Sequence, residues 1–98
     1  MAPCVQRGSV LEDIGTILAK MRATAPLVHQ ITNCVAMNIA ANVALAAGAS
    51  PAMVHAREDV VEFAGLARAL SVNIGTLDAP WAEAMEMAAQ AMAANGRP

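Results

Sequence analysis

The chain has 98 residues, which allows at most one domain with a modest core. With one Phe, one Trp, no Tyr and seven Met, the core volume must come from small and aliphatic side chains, a composition suited to one layer of a larger body. The net charge is −2 and the six basic residues are scattered, so no basic stripe exists to follow a phosphate backbone, which argues against a nucleic-acid partner.

Residues 1–8 are expected to be flexible, and "MAPCVQRGSV" lacks the apolar core of a signal peptide. "SVLEDIGTILAKMR" opens with Ser9-x-x-Glu12, the spacing of a capping box. Val10, Ile14, Ile17, Leu18 and Met21 then recur at helical spacing, until Pro26 stops the helix. "PLVHQI" reads as a strand with Leu27, His29 and Ile31 on one face. A second helix is predicted over Cys34–Ala47, closed by Gly48. Val35, Ile39, Val43 and Ala46 share one face of it, Asn38 and Asn42 flank that face, and the helix is apolar nearly all round, so burial on more than one side is expected.

Next, "PAMVH" (Pro51–His55) reads as a second strand, with Pro51 fit only for its start or for an edge. Asp59-x-x-Glu62 has capping-box spacing and is expected to open a short helix through Phe63 and Leu66. "LSVNIG" reads as a third strand. Pro80 falls in the first turn of the last helix, whose inner stripe is Trp81, Met85, Ala88 and Met92 and whose end is Gly96. Helices alternating with strands imply an α/β fold on a parallel sheet with right-handed crossovers. After "NGRP" the pattern calls for a fourth strand, so the layer is expected to be unfinished.

No charged residue occurs between Ala23 and Ala56, yet Pro26, Gly48 and Pro51 interrupt that window. Its longest helical piece is shorter than the ~20 residues of a membrane span, and no membrane partner is expected. Cys4 and Cys34 form neither a disulfide framework nor a zinc pattern, which points to a reducing cytoplasm.

A parallel sheet places ligands beyond the carboxyl ends of its strands. Thr32-Asn33, Met53-Val54-His55 and Gly75-Thr76 lie there. Asn33 suits either a helix cap or a ligand contact. Asn38 and Asn42, four apart, read as structural amides that tie a neighbouring backbone segment or subunit. His29 and Cys34 could form a dyad, but no third group orients the imidazole, and each reads better as a core residue. His55 and Asp59 are too few for a metal site. No glycine spacing builds a phosphate-binding loop, and no metal-binding residue is expected in this chain.

"PLVHQITNCVAMNIAANVALAAGASPAMVHA", taken with "LSVNIGTLDAPWAEAM", closely resembles the amino-terminal part of hydroxyethylthiazole kinases. The shared pattern is P-L-V-H-x-I-T-N-x-V-x-x-N-x-x-A-N, then G-A-S-P-x-M, then N-I-G-T-L, in order and at matching separations from Pro26 to Met85 and more loosely to Pro98. The resemblance implies that residues 1–98 are the amino-terminal portion of one ribokinase-like kinase domain. It implies ATP-dependent phosphorylation of 4-methyl-5-(2-hydroxyethyl)thiazole with Mg²⁺, a step in thiamine biosynthesis or salvage, in a homotrimer with active sites where subunits meet. It also implies thiazole contacts at Met53, Asn33 and Val35, and a nucleotide site and catalytic residues outside this chain. The alternative expectation is a non-catalytic remnant that binds a partner subunit.

Overall fold

The computed structural model describes residues 7–98, with side chains described from residue 13 onward. The expected flexibility of residues 1–8 falls mostly outside the described residues, as do the side-chain bonds of the Ser9–Glu12 capping box. The elements are α1 (Arg7–Thr24), β1 (Leu27–Ile31), α2 (Met37–Ala47), β2 (Ser50–Met53), α3 (Arg57–Leu66), β3 (Ala69–Val72) and α4 (Ala79–Ala94). Helix α1 thus takes in Ser9, which the sequence placed at its cap.

The sheet is parallel with strand order β2-β1-β3. The step from β1 to β2 runs opposite to the step from β2 to β3, so right-handed crossovers put α2 and α3 on opposite faces. The packing agrees. Helices α3 and α4 pack on each other and over β1 and β3, whereas α2 packs on β2 and α1. Ile31 carries the buried face of β1 into a core with Val60 and Ala64 of α3 and Ala84, Met85, Ala88 and Met92 of α4. This confirms the inner stripe of α4, with Trp81 partly buried at its rim. A residue such as Ile31, fully enclosed, would cost roughly 2–5 kcal/mol if cut to Ala.

Several boundaries differ from the sequence reading; helix α2 begins at Met37 rather than Cys34, because residues 34–36 form a turn in which Asn33 Oδ1 accepts from the Ala36 N–H. Strand β2 begins one residue early because the Ser50 N–H donates to the Pro26 carbonyl at 2.8 Å. Alternation then turns the nitrogen of Pro51 toward the open edge, where no donor is needed. It also ends two residues early, at Met53, because the Val54 carbonyl is taken by the His29 side chain. Strand β3 ends at Val72, although the Asn73 N–H still donates to the Ile31 carbonyl at 2.9 Å, before the Asn73 side chain turns the backbone. Helix α3 opens on Ala56 with no side-chain cap, and Asp59 sits inside its first turn, so the expected Asp59–Glu62 capping box is not formed. The acidic pair Glu58 and Asp59 instead favours that helix start through the macrodipole.

The sequence also predicted burial of α2 on more than one side. In this chain no residue of α2 is buried, and Val35, Ile39 and Val43 are 88%, 70% and 64% exposed. Gly48 closes α2 as expected, at φ 106, and a Cβ there would come within 2.6 Å of the Arg22 side chain. At the other end of the sheet the outer edge of β3 meets the last residue, the Leu70 N–H donating to the Pro98 carbonyl at 2.9 Å. No described helix is long and apolar enough to cross a membrane.

Candidate functional site at the carboxyl ends of the strands

The three strands end side by side, and the residues just past β1 and β3 are tied to each other. Asn33 follows β1. Its Oδ1 accepts from the Ala36 N–H at 2.8 Å, and its backbone carbonyl accepts from the Met37 N–H at 2.9 Å. Asn33 therefore caps the turn 34–36 that leads into α2. Its Nδ2 donates to the Gly75 carbonyl at 3.2 Å, joining the end of β1 to the loop after β3.

Asn73 completes the link. Its Oδ1 accepts from the Gly75 N–H at 2.9 Å, and its Nδ2 donates to Thr32 Oγ1 at 3.2 Å. Thr32 is buried, so this bond satisfies a hydroxyl that water cannot reach. A Cβ on Gly75 would lie 3.1 Å from Asn73 Oδ1 and 3.4 Å from Asn33 Nδ2, so the loop fits only a residue without a side chain unless the amides give way. Thr76 next to it has φ 54, a left-handed conformation uncommon for Thr. The sequence reading placed Asn73 inside the third strand and gave it no role in the site. The Asn-x-Gly spacing, an Asx turn in which the side chain bonds the N–H two residues on, was the signal.

Met53 ends β2, half-buried, in register with Gln30 of β1. Register partners share a face, so both lie on the α2 side of the sheet, where Gln30 Oε1 is buried without a hydrogen-bond partner. Val35 lies in the turn after Asn33 and is almost wholly exposed. The structure thus brings Asn33 and Met53 to adjacent strand ends and leaves Val35 on the open side of the turn.

The remaining sequence candidates separate. His29 is fully enclosed at the centre of β1 and bonds the Val54 carbonyl through Nε2, while Cys34 is exposed; the dyad is not formed. His55 stacks on Trp81 at 4.1 Å between ring centroids, and Arg57 pairs with Glu83 at 2.9 Å nearby, fastening the starts of α3 and α4 together. Asn42 Nδ2 donates to Asn38 Oδ1 at 3.1 Å on the exposed surface of α2, so these amides bond each other rather than a neighbouring backbone segment. Among the described residues no three His, Cys, Asp or Glu side chains converge on a metal position. A groove of about 800 Å³ runs between β3, where Leu70 and Val72 line it, and the carboxyl-terminal part of α4 with Arg97 and Pro98.

Residues 18–98 match the profile of the hydroxyethylthiazole kinase family. A hydroxyethylthiazole kinase of Rhizobium leguminosarum bv. trifolii is 63% identical over 84 residues, which is 86% of this chain and 32% of that protein. One from Cereibacter sphaeroides is 58% identical over 88 residues, covering 90% of this chain and 34% of that protein. The solved structure of a hydroxyethylthiazole kinase protein from Pyrococcus horikoshii superposes with a TM-score of 0.85 at 46% identity, over 89% of this chain and 34% of that one. The architecture is therefore ribokinase-like α/β, and the chain spans about a third of the length of the relatives it matches.

Proposed function

Because the chain belongs to the hydroxyethylthiazole kinase family, we propose that it supplies the thiazole-binding part of an ATP-dependent kinase acting on 4-methyl-5-(2-hydroxyethyl)thiazole in thiamine biosynthesis or salvage. The observation that carries the reading is the placement itself: Asn33 and Met53 stand at adjacent carboxyl ends of a parallel sheet, where such folds take their ligands. Met53 offers a soft thioether to a sulfur heterocycle. Asn33 keeps a second amide hydrogen and a second oxygen lone pair for a polar atom of the ligand. Val35 gives an apolar wall from the neighbouring turn.

Phosphoryl transfer needs groups that position and neutralise the phosphates. Mg²⁺ takes carboxylate oxygens, and the described residues do not gather them, so these residues do not fit the ion. ATP and Mg²⁺ belong to the remaining two thirds of a family-length protein in this reading, and the setting is the cytoplasm. The exposed stripe Val35, Ile39 and Val43 supports burial against another subunit in a homotrimer, and it equally supports the second reading, a remnant that binds a partner subunit without turnover.

The test has two arms. The 98-residue chain alone is expected to give no ATP-dependent thiazole phosphate. A hybrid in which residues 18–98 replace the matching segment of the Rhizobium leguminosarum relative is expected to give it. An inactive, folded hybrid would favour the remnant.

A further inference from the structure

His29 is the largest polar side chain in the core, and the thiazole reading does not use it. It sits mid-strand in β1, with no exposed surface, in register with Ala52 of β2 and Leu70 of β3. Its Nε2 lies 2.6 Å from the Val54 carbonyl, two residues beyond Ala52 and one beyond Met53. The rings of His29 and Phe63 of α3 meet in a T-shaped arrangement, 4.9 Å between centroids and 77° between planes. A carbonyl can only accept, so Nε2 carries the hydrogen. The other nitrogen, Nδ1, is buried with no partner.

We propose that His29 is a positioning residue: by holding the Val54 carbonyl through Nε2–H, it fixes the peptide that leaves β2 and with it the placement of Met53. The proposal rests on the thiazole reading for its consequence, though not for its geometry. The end of β2 needs such a hold. Strand pairing stops at Gln30 and Met53, and the next described regular element begins only at Arg57. Without His29 the part-buried Val54 carbonyl would lose its partner or swing away toward solvent, taking the Met53 main chain with it.

The same geometry makes the hold sensitive to acid. Protonation would put a charge and a second N–H donor where Nδ1 has no acceptor. Burial pushes the His29 pKa below its ordinary value, and the Val54 bond opposes that. Asp59 and Glu62 of α3, exposed beside Phe63 and Val54, are the carboxylates nearest this face, and His55 follows Val54. Strands β2 and β3 contribute no titratable group.

The experiment uses the full-length hybrid, with ¹³C-methyl methionine and ring-¹³C histidine labelling and kinetics against thiazole alcohol and ATP. His29→Leu removes the donor; His29→Gln restores an amide donor that does not titrate. In the unsubstituted hybrid, the Met53 methyl resonance is expected to shift on acidification together with the His29 ring carbons. In His29→Gln the shift at that midpoint is absent and the thiazole KM at neutral pH stays close to the parent value. In His29→Leu the Met53 resonance is displaced and the thiazole KM rises roughly tenfold, the size of one lost buried hydrogen bond, with the ATP KM little changed. A His29→Leu protein with reduced thermal stability but an unmoved Met53 resonance and unchanged thiazole KM would overturn the proposal. If His29→Leu does not fold, a Met53 shift that persists unaltered in His29→Gln overturns it instead. Coupled His29 and Met53 resonances with no response to thiazole in any protein would support the hold and refute the thiazole reading.

Discussion

Asn33 and Asn73 hold the two backbone polar groups of Gly75 between them, Asn33 donating to its carbonyl at 3.2 Å and Asn73 accepting from its N–H at 2.9 Å. The loop after β3 is thereby fastened to the end of β1. Asn73→Ala is expected to lower stability by roughly 1–3 kcal/mol, because buried Thr32 Oγ1 loses its donor as well. Asn33→Ala should lose the turn cap, about 1 kcal/mol, and weaken thiazole binding too. Thermal unfolding with a parallel thiazole titration on the hybrid separates the two. Asn73→Ala melting like the parent would show that the link carries no energy.

The amides Asn38 and Asn42 behave differently. They are exposed and bond each other along α2, an i,i+4 pair worth roughly 0.2–0.5 kcal/mol. Asn42→Ala is expected to leave the melting temperature of the 98-residue chain nearly unchanged. A clear loss of oligomer in analytical ultracentrifugation of the hybrid, with monomer stability intact, would place them at a subunit contact.

Much of this was legible from pattern. Element order, the parallel sheet and the α4 stripe follow from periodicity, because the buried positions Ala84, Met85, Ala88 and Met92 recur at helical spacing. Strand ends were less legible. The end at Met53 depends on a side chain from elsewhere capturing a peptide, His29 on Val54, whereas the end at Val72 follows from the local turn of Asn73 on Gly75. No local propensity encodes a partner 25 residues away, as His29 and Val54 are. The exposure of α2 was misread for a related reason. An apolar helix surface favours burial, but the pattern does not record what covers it, and the described residues do not bury it.

Asp78 offers a simpler check of the fold. Its side chain accepts from the Trp81 N–H at 2.9 Å and caps α4, with Pro80 behind it in the first turn. Asp78→Ala is expected to cost about 1 kcal/mol, whereas Asp78→Ser should recover most of it. Chemical denaturation measures both. Equal loss in the two variants would assign the effect to charge rather than capping.

Stability should also fall with acid, and His29 gives the sign. Its folded pKa is lowered, mainly by burial, so the unfolded chain takes up the proton first. The contribution is complete above the unfolded value near 6.5 and is lost as pH falls from there toward the folded value. In His29→Gln that part of the pH dependence should disappear. A parent and variant with parallel stability curves between neutral and mildly acidic pH would contradict this.

The most direct test of the thiazole-binding claim is calorimetric titration of the hybrid and its Met53→Asp variant with the thiazole alcohol and, separately, with ATP. A carboxylate against an apolar heterocycle is unfavourable without a partner. The expected result is thiazole affinity reduced roughly tenfold or more, one lost contact of 1.4 kcal/mol or above, with ATP affinity preserved. Unchanged thiazole affinity in a folded Met53→Asp protein would contradict the account and remove the end of β2 from the site.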